Sequence, residues 1–252
     1  MSYVLPTDAN LLVCNCVDSS IQIGLGRRTR LVYSCSVHLE TGVTAALVPE
    51  IEKGLQAVGL KARDLDGVAC VTGPGSFTGI RIGLSTMLGI TGLRIPCAGL
   101  NLLHILAVGA ACEADCAEIW VLQYARRGIV AMQGFRCSDG QPLSAPQCLT
   151  LDRADRILQA REVSFALLGS GLRRNADFFT HFSSPKILLP PQYDIASCHI
   201  LWQVALQQNF SMAPLVPLYL RETDAVEDLA VQAARRGLSV EDCAGLLRSR
   251  QS

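Results

Sequence analysis

The sequence predicts an α/β protein built as two lobes, on three observations. Short apolar or alternating runs of strand length recur along the chain. Segments with helical periodicity fall between them. After Pro96 the same kind of succession starts again, which puts a boundary near Gly99. Half of the 252 residues are hydrophobic, 17% are charged and the formal net charge is zero. That composition describes a cohesive globule and lacks the basic excess that usually accompanies direct nucleic-acid binding.

The elements follow in order. Residues 11–17 are a short apolar run of strand length. Ile21, Ile23 and Leu25 alternate with Gln22 and Gly24, residues 26–30 are turn-like, and residues 31–37 form a third strand, giving an opening meander. Leu47, Ile51, Leu55 and Val58 line one face of a helix that Gly59 closes. Residues 68–72 are a buried strand stopped by Gly73-Pro74-Gly75, and a second helix runs over about 78–93.

In the second half, Asn101 caps a helix through Ala111. Residues 119–124 and 129–135 are strands, 152–160 a helix, and 163–168 a strand leading into Gly169-Ser170-Gly171. Asp194 is the expected cap of a helix reaching about residue 209. The boundary near Gly99 makes 1–99 the first domain, and short helices are expected over 227–237 and 239–247. The halves share a loose plan but no residue-level repeat.

Eleven scattered cysteines, an odd number with no Cys-x-x-Cys, read as reduced thiols filling core positions. Cys112 and Cys116 can share a helix face, but two thiols without histidine support make a poor metal site, so no metal is expected. The longest apolar run, 80–93, is too short to span a membrane and contains Arg81. No leader-like order opens the chain, and the expected location is the cytoplasm. The basic pairs Arg27-Arg28, Arg126-Arg127, Arg173-Arg174 and Arg235-Arg236 read as solvated charge.

The most informative stretch is Gly73-Pro74-Gly75-Ser76-Phe77-Thr78-Gly79-Ile80-Arg81-Ile82-Gly83. It is a strand, a glycine turn and a helix start, with Ser76 or Thr78 as cap. Arg81 is the only charge from Gly79 to residue 93, so the helix has almost no polar face and needs cover on more than one side. The spacing of Gly79 to Gly83 and of Ser85 to Gly89 permits close helix approach.

This eleven-residue stretch resembles the signature of the TsaB family, also called YeaZ. Pro217-Leu218-Tyr219-Leu220-Arg221 resembles that family's closing motif. Ala125-Arg126-x-Gly128 and Gly169-Ser170-Gly171 fall where it has Asp-Ala-Arg-x-Gly and a glycine turn. The resemblance covers residues 11–221 and implies a two-lobed ASKHA fold, related to actin and sugar kinases, with lobes 1–99 and 100–221 followed by an extra tail, 222–252. It also implies a non-catalytic platform for a TsaD-like catalytic subunit, with a TsaE-like ATPase. In that system a threonylcarbamoyl group is transferred from its adenylate to an adenosine beside the tRNA anticodon. tRNA would be met indirectly through the complex, and the chain alone would form homodimers.

The resemblance further places the partner surface on the two first-lobe helices, with Leu47, Ile51, Leu55, Gly79, Arg81, Gly83, Met87 and Gly89 as interface residues. It implies no catalytic residue, cofactor or metal. The chain departs from the family pattern at several points. Asn15-Cys16-Val17 stands for Asp-Thr-Ser, Tyr124 for Asp, Ile129 for Glu, and Val43-Thr44 for a His-Ser or His-Thr pair. Asn15 is neutral where nucleotide-using ASKHA proteins have a carboxylate. No His-x-x-x-His is present for a TsaD-like metal. The alternatives are a self-associating ASKHA scaffold, an ATP-dependent ASKHA phosphotransferase and a glycopeptidase.

Overall fold

A computed structural model describes residues 3–18, 20–38, 43–92, 94–181 and 186–220. The expected tail helices, 227–237 and 239–247, lie outside the described residues. Packing contacts divide the chain into two units, 1–218 and 219–252.

The first sheet contains β1 (Asn10–Asn15), β2 (Ser20–Arg27), β3 (Arg30–His38), β4 (Gly67–Gly73) and β5 (Cys97–Asn101), in the order β3-β2-β1-β4-β5. The meander β1-β2-β3 is antiparallel, while β4 pairs parallel with β1, and β5 parallel with β4. Between them run α1 (Val43–Ala57) and α2 (Phe77–Thr91), and α3 (Leu102–Ala110) follows β5.

The second half repeats this plan strand for strand. It holds β6 (Glu118–Arg126), β7 (Ile129–Arg136), β8 (Gln147–Thr150), β9 (Phe165–Leu168) and β10 (Lys186–Leu188), in the order β10-β9-β6-β7-β8. Here too the first three strands are antiparallel, and β9 and β10 are added in parallel. The helices α4 (Leu151–Gln159) and α5 (Ser170–Arg174) occupy the places of α1 and α2, and α6 (Cys198–Leu206) that of α3. This duplicated α/β topology is the two-lobed ASKHA arrangement.

Three apolar clusters explain why the plan holds. One lies between α1, α2 and the outer face of the first sheet, with Leu12, Ile21, Ile23, Leu47, Ile51, Val68 and Met87. A second lies between α4, α5 and the outer face of the second sheet, with Trp120, Leu122, Ala154, Leu158 and Leu172. The third and largest sits between the two sheets and is filled by α3 and α6. Leu11, Val13 and Val71 reach it from one sheet, and Ile119, Val121 and Phe135 from the other. The two lobes therefore share one core, and α3, apolar on nearly every side, is buried because it lies in the middle layer.

The local signals act largely as expected. Ser76 caps α2 by accepting a hydrogen bond from the Gly79 N–H at 3.2 Å, and Asn101 caps α3 by accepting from Leu103 N–H at 2.9 Å. One cap is corrected. Asp194 does not cap the last helix; Ser197 does, accepting from Ile200 N–H at 3.2 Å. Asp194 instead accepts from Gly169 N–H at 2.6 Å and pairs with Arg173 at 2.9 Å. The ten cysteines among the described residues are free thiols.

Candidate functional site

The signature stretch folds as the end of β4, a turn and the first two turns of α2, and its glycines are spaces for other backbone. Gly79 lies against the end of β1, where a Cβ would overlap the Cys16 carbonyl oxygen and stand 3.2 Å from Val17 Cα. At Gly83 a Cβ would stand 2.7 Å from the Cys16 sulfur and 3.4 Å from that of Cys70. Gly75 meets the Val17 carbonyl in the same way, and Ser76 N–H donates to that carbonyl at 2.7 Å. Gly75 in the turn, and Gly79 and Gly83 on one face of α2, thus lie against Cys16 and Val17, the residues that follow the chain's own first strand. The Gly73–Pro74 peptide bond is cis.

The closing motif meets the signature. Leu218 N–H donates to Thr72 O at 2.8 Å, and the Leu218 carbonyl passes 2.6 Å from where a Gly73 Cβ would be. Gly73, at φ 134°, is in a backbone region that other residues rarely adopt. The glycine turn of the second lobe is built alike. Gly171 lies against the Leu122 carbonyl, at 2.6 Å from its would-be Cβ, and Ser170 Oγ accepts from Tyr124 N–H at 3.0 Å.

Asn15 ends β1 and is fully buried. Its amide nitrogen donates to Gln22 Oε1 at 2.8 Å and to Asp18 Oδ2 at 3.3 Å, and its oxygen accepts from Val17 N–H at 3.1 Å. Gln22 in turn donates to the Ala196 carbonyl ahead of α6. The side chain is spent on internal bonds, and sequence reasoning missed Gln22 as its partner. Cys16 beside it is buried and donates to the Gly79 carbonyl at 3.3 Å, and the neighbouring Cys14 thiol together with burial holds its thiol well above the ordinary value.

The expected interface residues divide by burial. Leu47, Ile51, Leu55 and Met87 are at most 7% exposed, and Gly79 and Gly83 are buried. These six face the first sheet and hold α1 and α2 in place. Arg81 and Gly89 are exposed. Gly89 has nothing within 4 Å of its would-be Cβ, and the Arg81 guanidinium lies 5.9 Å from the Phe77 ring centroid.

Among the outward positions of these helices stand two large apolar side chains, with polar neighbours such as Lys53, Arg81 and Ser85. Leu88 is 50% exposed on α2 and Val48 46% on α1, while Leu84 is half-buried. Leu84, Ser85 and Leu88 form one wall of a groove of about 140 Å³, with Met212, Pro214 and Leu215 opposite. The signal for this face was the missing polar side of α2, and the stripe that sequence periodicity selected was the covered one.

No group of three or more histidine, cysteine, aspartate or glutamate side chains among the described residues is placed to hold a metal ion. His38 and His199 are exposed, and His104 stacks on Phe135 at 5.5 Å. No helix among the described residues is long and apolar enough to cross a membrane.

Comparison with known proteins adds four findings. Residues 42–158 match the family described as TsaD: tRNA N6-adenosine threonylcarbamoyltransferase. The chain is 26% identical over 182 residues to the tRNA threonylcarbamoyladenosine biosynthesis protein TsaB of Buchnera aphidicola, covering 67% of this chain and 82% of that one. It is 35% identical over 105 residues to the tRNA N6-adenosine threonylcarbamoyltransferase of Geotalea uraniireducens, covering 40% of this chain and only 29% of that one. Among solved structures, a Pseudomonas aeruginosa protein described as similar to peptidase YEAZ superposes with a TM-score of 0.69 at 19% identity. That match covers 84% of this chain and all of the other.

Proposed function

The chain belongs to the TsaB/YeaZ family of tRNA threonylcarbamoyladenosine biosynthesis, and we propose that it serves there as a non-catalytic platform for a TsaD-like subunit. The observation that carries this is the outward apolar surface of α1 and α2, where Val48 and Leu88 are uncovered and Leu88 lines an apolar groove. Apolar surface of this kind gains about 25 cal/mol per Å² when a partner removes it from water. The match of residues 42–158 to TsaD supports a partner of like architecture, whose own helix pair meets this one. A TsaE-like ATPase completes the assembly, tRNA is engaged as part of it, and the chain alone pairs with itself through the same face.

The non-catalytic role is supported by Asn15. A buried amide whose nitrogen and oxygen are both bonded inside the chain is neither charged nor available to hold a metal–phosphate group. The peptidase reading is countered by Ser76, whose hydroxyl oxygen is occupied in capping α2.

Reconstitution tests the proposal. TsaD-like and TsaE-like proteins supplied with threonylcarbamoyl-adenylate and tRNA should form product only when this chain is added. The chain alone should turn over neither ATP nor peptide. Product formed at full rate without it, or ATP turnover by the clean chain that Asn15→Ala abolishes, would overturn the role.

A further inference from the structure

Two of the basic pairs in the sequence, Arg126-Arg127 and Arg173-Arg174, are brought by the fold to one end of the second sheet. β6 ends at Arg126 and turns through Arg127 and Gly128 into β7, while β9, parallel to β6, delivers α5 beside that turn. The two loops are tied together. Tyr124 N–H donates to Ser170 Oγ at 3.0 Å, and Ser170 N–H donates to Gln123 Oε1 at 3.4 Å. The Arg174 guanidinium lies over the Tyr124 ring, 4.4 Å from its centroid. A third loop joins them, because Leu151 N–H donates to Gly128 O at 3.2 Å and so sets the first turn of α4, with Arg153, against the hairpin.

Arg126, Arg127, Arg153 and Arg174 are all exposed. The carboxylates at this end are fewer or committed. Asp194 is taken by Arg173 and Gly169, and Asp155 accepts from Gln159 at 2.7 Å. Asp152 and Asp177 are exposed. A chain of zero net charge thus carries a local cationic rim on three loops that fixed hydrogen bonds hold in register. Arginine forks match phosphate oxygens, and a guanidinium seated on an aromatic ring is a ready platform for a nucleobase.

We propose that this rim, Arg126, Arg127, Arg153 and Arg174 with Tyr124 beneath, binds the phosphate backbone of a folded RNA directly. The choice of RNA among polyanions rests on the proposed function; the geometry of the rim does not. Arg127, Arg153 and Arg174 are the phosphate contacts, and Tyr124 is a positioning residue that holds Arg174 flat.

The test uses the full chain, alone and mixed with a TsaD-like relative, and bulk tRNA as the probe, titrated across a salt series. The variant Arg127→Ala/Arg153→Ala/Arg174→Ala is compared with Arg27→Ala/Arg63→Ala/Arg94→Ala, which removes the same charge from the first lobe. The rim variant should bind tRNA roughly tenfold more weakly or worse, and its log–log salt slope should fall by about one per contact removed. The first-lobe variant should keep both, and both should bind the TsaD-like relative as the parent does. Tyr124→Leu should weaken binding with an unchanged salt slope. Equal loss in the two triple variants, unchanged affinity in the rim variant, or no tRNA binding by the parent chain alone or in the mixture would overturn the inference. So would loss of the protein partner from the rim variant alone, which would make the rim a protein contact. Failure of the parent to bind the TsaD-like relative counts against the platform role only, since tRNA binding by the chain alone is read independently.

Discussion

Alanine at Gly79 and alanine at Gly89 are the same substitution in the same helix, and the structure gives them opposite signs. At Gly79 the new methyl would overlap the Cys16 carbonyl oxygen, with Val17 Cα at 3.2 Å. Both obstacles are backbone just past the end of β1, where Val17 N–H donates to Asn15 Oδ1 and the Val17 carbonyl accepts from Ser76 N–H, so no rotamer change relieves the overlap. Overpacking a tight site costs up to about 3 kcal/mol, offset by about 1 kcal/mol of improved helix propensity. The net loss of about 2 kcal/mol lowers the melting temperature by roughly 4–8 °C for a domain of this size. At Gly89 nothing lies within 4 Å, so only the propensity gain of about 0.5–1 kcal/mol remains and the melting temperature should rise by roughly 1–4 °C. Thermal unfolding followed by circular dichroism at one fixed protein concentration reads both. Gly79→Ala melting at or above the parent would refute the claim that the signature glycines serve the chain's own packing.

Two further outcomes follow from the same structure. Ending the chain after Arg221 should leave one cooperative transition at nearly the same temperature, since the three apolar clusters draw on no described residue beyond Leu215; a lost transition would show the tail to be structural. His104 is held below its ordinary value of 6.5 by burial, so its folded form resists protonation. Stability should therefore fall as pH drops through 6.5 and level off below the depressed folded value, and His104→Gln should flatten that part of the curve. An NMR titration placing His104 at or above 6.5 would contradict this.

Much of the fold was legible because local pattern and tertiary role agree. The opening meander shows in the alternation of Ile21, Ile23 and Leu25, and the start of α2 in Ser76. What was not legible depends on pairing across the molecule. β5, β8, β10 and α5 are 5, 4, 3 and 5 residues long, too short to set up a period, and Gly99 interrupts the first of them. The duplication shows in the sequence only as a loose shared plan, because strand order repeats while the residues do not.

At the site, a regular stripe such as Leu47, Ile51 and Leu55 marks the face a helix turns toward its own sheet. The apolar side chains that α1 and α2 leave exposed, Val48 and Leu88, fall outside the covered face. Residue type alone points to Asp194 as a cap. Its carboxylate is more strongly claimed by Arg173, while Ser197 stands immediately before the helix.

The platform role is tested most directly at Leu88, which is half-exposed on α2 and lines the outer groove. Leu88→Arg should leave the isolated chain folded, with an unchanged circular dichroism spectrum, because the side chain already reaches water. Burial of a leucine by a partner is worth about 1.5–3 kcal/mol, so titration calorimetry with a TsaD-like relative should show affinity reduced by at least about tenfold. A folded Leu88→Arg protein that binds this relative as tightly as the parent would contradict the account, and would place the partner surface away from α2.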